Sequence, residues 1–340
     1  MEYQKYFDIM ENSPQKQVPW PKVEEPQAGD GEEGTGTIVQ AGDRRDGLVY
    51  VYKEKVELAV NVALATGRPM LVRGPSGGGK SSLARNVARR MKWRYYERVI
   101  TSRTQAQDLL WTFDALRRLS DAQAKQLRKK AAYYVEPGVL WWAFDPASAE
   151  RRGLPEGQEA GMPPDDPGVG PKGSGAVVLL DEIDKADPDV PNNMLIPVGS
   201  YEFTVRETNT PVRARRPLLL IITTNDERVL PVAFMRRCVV LELDPPDEDD
   251  LVNIAVEHYG PDMKGIYRPI AKRVVALAYE GASPPAKGAP RKDGAAPAGP
   301  STAEYLDTVR AFSDLGLSPE KEEEWLIISS ATLSKRQTPA

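Results

Sequence analysis

Residues Gly74-Pro75-Ser76-Gly77-Gly78-Gly79-Lys80-Ser81-Ser82 fit the pattern G-x-x-x-x-G-K-[ST]. Met70-Leu71-Val72 just before them is a short apolar strand. Leu83, Ala84, Val87, Ala88 and Met91 just after them fall on one face of a helix. In that setting the glycines let successive backbone N–H groups turn inward toward phosphate oxygens, and the helix N-terminus adds positive potential. Lys80 is the candidate bridge between the β and γ phosphates of ATP, Ser81 the candidate Mg2+ ligand, and Gly74 to Ser82 the candidate binding stretch. Upstream, Val56, Ala59, Val60, Ala63 and Leu64 recur at helical spacing until Gly67 and Pro69 stop the helix.

Three further elements follow in order. Val177 to Leu180 is an apolar strand ending in Asp181-Glu182. A carboxylate at the end of a buried strand reaches Mg2+ through water, and the next one can polarise a water against the γ phosphate, which separates an NTP hydrolase from a kinase. Leu218 to Thr223 is a second buried strand, and it ends at Thr224-Asn225, where an amide can hold the attacking water or the γ phosphate. Arg236-Arg237 lie in Leu230-Pro231-Val232-Ala233-Phe234-Met235-Arg236-Arg237-Cys238 and offer permanent positive charge to a transferring phosphoryl group. Buried short strands alternating with helices call for an α/β fold with a parallel sheet covered on both faces.

These four elements in this order resemble an AAA+ ATPase. Gly67-Arg68-Pro69-Met70-Leu71-Val72-Arg73-Gly74-Pro75, Asp181-Glu182-Ile183-Asp184-Lys185-Ala186 and the segment from Leu230 to Cys238 resemble the MoxR branch more closely. The resemblance covers about residues 47 to 260 well and the C-terminal part less well. It implies an AAA+ P-loop NTPase: a five-stranded parallel sheet flanked by helices, plus a small α-helical lid. It also implies ATP at the subunit boundaries of a homo-oligomeric ring, usually a hexamer. Lys80, Ser81, Asp181, Glu182 and Asn225 keep the roles above, with Ser81 and Asp181 at the metal. Arg237 becomes the expected finger reaching a neighbouring subunit, and Arg236 is the alternative. Residues 108 to 134 correspond to an insert in the second helix, and 201 to 214 to a hairpin ahead of the strand that ends at Asn225. Both usually face the pore or the client. The work implied is remodelling or activation of a protein client, with a von Willebrand factor A domain protein as the expected partner. The lid arginine of the family has no counterpart at Gly299-Pro300-Ser301-Thr302-Ala303-Glu304.

Composition sets the alternatives. The 340 residues carry 45 Lys+Arg against 49 Asp+Glu, a net charge of −4, which argues against general adhesion to nucleic acid or membrane. Local basic runs remain, Arg117, Arg118, Arg128, Lys129 and Lys130 in the insert and Arg206, Arg213, Arg215 and Arg216 at the hairpin. An ATP-dependent nucleic-acid motor and an ATP-binding scaffold or switch with little turnover are therefore the competing readings. The single Cys238 and the single His258 exclude an internal disulfide, a Cys-based zinc cluster and most catalytic-histidine schemes. Apolar runs too short to cross a bilayer, after a polar start from Met1, lead to the expectation of a cytoplasmic protein without membrane insertion.

The expected organisation is a mostly disordered arm over 1–46, a large ATPase subdomain over 47–244, and a helical lid over 245–340 with a flexible Ala/Pro/Gly insertion at 281–300. Within it, 104–130 reads as a polar helical stretch and 145–175 as a mobile loop without periodicity. Ser301 and Glu304 form an expected capping box, and 201–214 an expected hairpin around Thr208-Asn209-Thr210.

Overall fold

A computed structural model of the chain describes residues 5–9, 47–158, 162–172, 175–278 and 299–333. Trp20 and most of the 281–300 insertion lie outside them. The described residues cluster into two compact units. The first comprises 5–9, 52–73 and 84–241; the second comprises 47–51, 74–83, 242–278 and 299–333.

The first unit is built on a five-stranded sheet. In chain order it runs α1 (Glu54–Thr66), β1 (Met70–Arg73), α2 (Lys80–Met91, whose first residues cluster with the second unit), β2 (Arg94–Val99), β3 (Trp111–Phe113), α3 (Ala115–Gln123), β4 (Val135–Pro137), α4 (Val139–Phe144) and α5 (Pro146–Glu150). It continues with β5 (Ala176–Asp181), α6 (Asp189–Ser200), β6 (Glu202–Val205), β7 (Thr210–Arg213), β8 (Leu218–Thr224), α7 (Val232–Met235) and β9 (Val239–Glu242). The sheet order is β2-β5-β8-β1-β9, with parallel register such as Leu179 opposite Ile221 and Met70 opposite Ile221 on its other side. Strands buried on both faces need continuous apolar runs, and β5 and β8 supply them: every residue of β5, and all of β8 after Leu218, is buried. Each fully buried Val, Leu or Ile contributes about 1.5–3 kcal/mol over its exposed state. Parallel strands bring Arg73, Asp181 and Thr224 to one edge of the sheet.

Two segments depart from the sequence expectations. Residues 104–130 are not one helix. Helical structure is limited to a 3-10 turn, Ala106–Leu109, and to α3, while β3 pairs antiparallel with β4. Packing overrides the polar helical pattern here: Trp111 stacks on Phe203 with ring centroids 5.7 Å apart, and its indole N–H donates to Glu207 at 2.7 Å. The described part of 145–175 is tied down rather than mobile. Asp145 caps α5, Arg94 pairs with Asp166 at 2.7 Å, and Val169 forms an antiparallel bridge to Tyr95. Buried Arg152 donates to the carbonyls of Val135 and Met162 and pairs with Glu136 at 2.9 Å. Buried arginines do there what apolar periodicity does elsewhere, so a search for apolar spacing misses them. In the arm, residues 5–9 are also packed, with Phe7 0% exposed against α1. The hairpin forms as expected from β6 and β7, with Asn209 at φ 51°.

The second unit contains four helices, α8 (Glu248–Tyr259), α9 (Tyr267–Ala278), α10 (Thr302–Leu315) and α11 (Glu322–Thr332). Capping boxes start two of them, Asp247 with Asp250 and Ser301 with Glu304, and Gly316 at φ 67° ends α10. Leu251, Ile270, Val274, Tyr305, Phe312 and Trp325 fill its core, where Phe312 stacks on Trp325 and the Arg273 guanidinium lies over the Trp325 ring, 4.7 Å from its centroid.

Arg152→Met removes a charged donor while filling the same space, and leaves two carbonyls without it. Denaturant unfolding should show a loss of about 2–4 kcal/mol. A change below about 0.5 kcal/mol would mean that Arg152 does not anchor the segment.

Candidate active site

The glycine-rich loop is built in the second unit. Gly74, Gly77 and Gly79 have φ of +150°, +69° and +80°, a sequence of turns that L side chains rarely adopt. At Gly74 and Gly77 close approach adds to the constraint: a Cβ would lie 2.7 Å from the Leu243 carbonyl oxygen and 2.3 Å from Ser301 Cβ. Ser301, the N-cap of α10, therefore sits where the sequence offered no lid arginine. Lys80 is the first residue of α2 and only 7% exposed; its Nζ donates to the carbonyls of Gly74 at 2.9 Å and Pro75 at 2.7 Å. The ammonium is thus held over the loop's own backbone. Ser81 and Ser82 follow it in the first turn of the helix.

The acidic edge of the sheet is built in the first unit. Asp181 ends β5 and is buried. Thr223, buried in the adjacent β8, donates its hydroxyl to Asp181 Oδ1 and accepts from the Glu182 N–H at 3.0 Å. One hydroxyl thus fixes both acidic residues. Glu182 has φ 62° and ψ 50°, a left-handed conformation uncommon outside glycine and asparagine, and its carboxylate accepts from Lys185 Nζ at 2.8 Å. The same hydrogen bond raises the Lys185 pKa above its ordinary value. Asn225 follows β8 directly, half-buried on this edge. Next to it Asp226, at φ 60°, pairs with Arg73 at 3.0 Å and donates its N–H to Thr224 Oγ1. Asp184, 2% exposed, accepts from the Glu227 N–H with one oxygen, and its other oxygen has no partner among the described residues.

Arg236 and Arg237 follow α7 and are exposed, and neither guanidinium has a hydrogen-bond or ion-pair partner among the described residues. Their backbone is fixed all the same. Arg68 donates to the carbonyls of Arg237 at 3.1 Å and Cys238 at 3.0 Å, and also to that of Arg236. Cys238 is buried beneath, its thiol pushed up to about 12 by burial against the opposing effect of Arg68. His258 lies half-buried in the last turn of α8. The first unit thus gathers Asp181, Glu182 and Asn225 on one edge, and the second contains the loop with Lys80, Ser81 and Ser82. The sequence alone did not point to Thr223, Arg68 or Asp226, and it marked Ser301 only as a helix cap. Thr223 lies at the end of the apolar strand read from the sequence, but its hydroxyl carries no signal of its own inside an apolar run.

A family profile described as "AAA domain (dynein-related subfamily)" matches residues 69–238, half of the chain. The chain belongs to this AAA family. The matched stretch runs from Pro69, just before β1, to Cys238 and contains Gly74 to Ser82, Asp181, Glu182, Asn225, Arg236 and Arg237, but not Arg68 or Ser301. No curated protein matches the sequence. Among solved structures the chain is similar to the RuvB Holliday junction branch migration motor of Thermotoga maritima, at 14% identity over 82% of this chain and 67% of that one, TM-score 0.42. It is also similar to a candidate ATPase of Cytophaga hutchinsonii, at 14% identity over 83% of this chain and 80% of that one, TM-score 0.39. The AAA+ P-loop fold and its five-stranded parallel sheet agree with the sequence expectation.

Replacing Arg68 with Gln should loosen the segment that carries the two arginines. Hydrogen bonds from a charged donor contribute about 1.5–3 kcal/mol, and each 1.4 kcal/mol is about tenfold, so backbone exchange over residues 236–239 should quicken roughly 10- to 100-fold. Hydrogen exchange read by mass spectrometry checks this, and unchanged exchange there would show that the guanidinium is not what holds these carbonyls.

Proposed function

We propose that the chain is an ATP-hydrolysing AAA+ protein of the MoxR type that remodels or activates a protein client, working as a ring, usually hexameric, with ATP at subunit boundaries. The observation that carries this reading is the Asp181-Glu182 pair locked to the Thr223 hydroxyl at the sheet edge, in a chain whose glycine-rich loop turns through positive φ at Gly74, Gly77 and Gly79. On this reading backbone N–H groups of the loop and Lys80 hold the phosphates, Glu182 orients and polarises the attacking water once its carboxylate leaves Lys185, and Asn225 positions that water or the γ phosphate. Ser81 and Asp181 are the residues that would hold Mg2+, which neutralises phosphate charge when bound. A hydroxyl with one carboxylate oxygen suits an ion that takes few protein ligands and completes its shell with water and phosphate. Arg237, with Arg236 as the alternative, acts on the nucleotide of the next subunit.

The basic residues at the hairpin favour a protein client over a nucleic-acid track. Arg213 pairs with Glu202, Arg215 pairs with Asp145, and Arg216 donates inward to the carbonyls of Ala143 and Trp142. Three of the four hairpin arginines thus already have partners, whereas a nucleic-acid motor would show affinity falling steeply with salt. A scaffold or switch would bind ATP with almost no turnover. The expected client partner carries a von Willebrand factor A domain, and the expected setting is cytoplasmic; no helix among the described residues is long and apolar enough to cross a membrane.

Lys80→Ala should weaken ATP binding roughly 30-fold or more, since a charge facing phosphates is removed. Unchanged affinity for a fluorescent ATP analogue would refute the loop assignment. Glu182→Gln should retain ATP and Mg2+ yet lose about 10²- to 10⁴-fold in turnover, and wild-type hydrolysis would exclude Glu182 as the base. Arg237→Ala should bind ATP and lose roughly 10³- to 10⁵-fold in rate. Mixing Arg237→Ala with Lys80→Ala subunits should restore turnover that neither shows alone, and no recovery in rings shown to be mixed would refute action across the boundary.

A further inference from the structure

Residues 5–9 occupy a built site on α1 and α2 that the nucleotide reading does not use. Asn61, 3% exposed in the middle of α1, accepts the N–H groups of Tyr6 at 2.7 Å and Phe7 at 2.9 Å on its Oδ1 and donates its Nδ2 to the Phe7 carbonyl at 2.8 Å. One amide side chain thus satisfies three backbone groups of Tyr6 and Phe7, where the chain bends. Glu57, one turn earlier and buried, accepts Lys5 Nζ at 2.9 Å and the Ile9 N–H at 3.3 Å. Arg90 of α2 donates to the Ile9 carbonyl at 2.7 Å, and Phe7 is enclosed beside Tyr52, ring centroids 5.5 Å apart.

Asparagine in a helix interior and a buried glutamate are unfavourable for the helix and for solvation unless partners are supplied. Here the partners come from a five-residue segment that is remote in sequence. Such a site recognises a basic residue, the backbone of a bent segment and an aromatic anchor, whichever chain presents them. Thirty-seven residues, 10–46, connect Ile9 to Gly47, although Phe7 already touches Tyr52. At about 3.3–3.6 Å per residue that connection spans up to about 120–130 Å. A domain of this size is about 50 Å across from its radius of gyration, so the connection is long enough to deliver residues 5–9 to an adjacent copy.

We propose that this face of α1 and α2 is a peptide-binding site whose occupant is residues 5–9 of a second copy of the chain, exchanging with the chain's own segment. Copies are then joined by their arms through a contact that involves neither the glycine-rich loop nor Arg236 and Arg237.

The test uses full-length chains and hydrogen exchange of the fragment containing residues 5–9. In the wild type the Tyr6, Phe7 and Ile9 amides should be protected; if they exchange as a free chain does, the site itself is refuted. Phe7→Ala keeps the site and removes the anchor, while Asn61→Ala keeps the anchor and breaks the site. Heavy-nitrogen-labelled Asn61→Ala should exchange freely over residues 5–9 alone and become roughly tenfold or more protected on mixing with unlabelled Phe7→Ala, increasingly with concentration. Mixing with unlabelled Asn61→Ala should give no protection. A synthetic peptide of residues 1–10 added to Phe7→Ala provides a second reading that needs no Asn61 variant, and its Phe7→Ala counterpart should not bind. Wild-type protection without protection in the mixture and without peptide binding would confine the segment to its own chain and overturn the exchange.

Discussion

A single hydroxyl between two buried parallel strands organises the acidic edge. Thr223 lies in β8, next to β5, and its oxygen donates to the Asp181 carboxylate while accepting the Glu182 N–H. Accepting that N–H supplies a partner for the backbone at the point where β5 ends and the chain turns into the left-handed region at Glu182. Left-handed conformations cost free energy in a residue with a side chain and persist only where the surroundings determine them. Here the determinants are the β5–β8 pairing, the Thr223 hydroxyl and the Lys185 ammonium on the Glu182 carboxylate. The strain and the two adjacent carboxylates therefore come from one local arrangement.

The fold and the glycine-rich loop were legible because their signals are local. Burial on both faces forces apolar runs in β5 and β8, and phosphate-type loops need glycine, lysine and hydroxyl at fixed spacing in consecutive residues. The capping box at Ser301 was legible for the same reason, since donor and acceptor lie three positions apart. What escaped is carried by single polar side chains that meet partners far along the chain. Arg68 reaches carbonyls about 170 positions away, and the partners of Arg152 belong to a different strand and a loop. Residues 104–130 failed for a further reason: their spacing suits a helix, but Trp111 gains more by packing on Phe203 than the local backbone gains from helix.

At 299–304, where the family resemblance finds no basic residue, the structure places a helix cap, Ser301, whose Cβ would collide with any side chain at Gly77. Gly77 is thus constrained twice, by its positive φ and by this approach. Either constraint alone would favour glycine, and together they leave little else.

The arginines after α7 combine two opposite properties. Basic residues of the first unit are commonly spent on fixed partners: Arg73 on Asp226, Arg94 on Asp166, Arg215 on Asp145, Arg152 on buried carbonyls. Arg236 and Arg237 keep their guanidiniums uncommitted while their backbone is anchored from below, by Phe234 and Cys238 in the core and by Arg68 on three successive carbonyls. An uncommitted charge on a mobile loop would lose conformational entropy on meeting a ligand, and a charge already paired would first have to lose its partner. A fixed backbone with a free guanidinium avoids both costs. That is the physical requirement for a residue proposed to stabilise charge on a nucleotide that its own subunit does not hold.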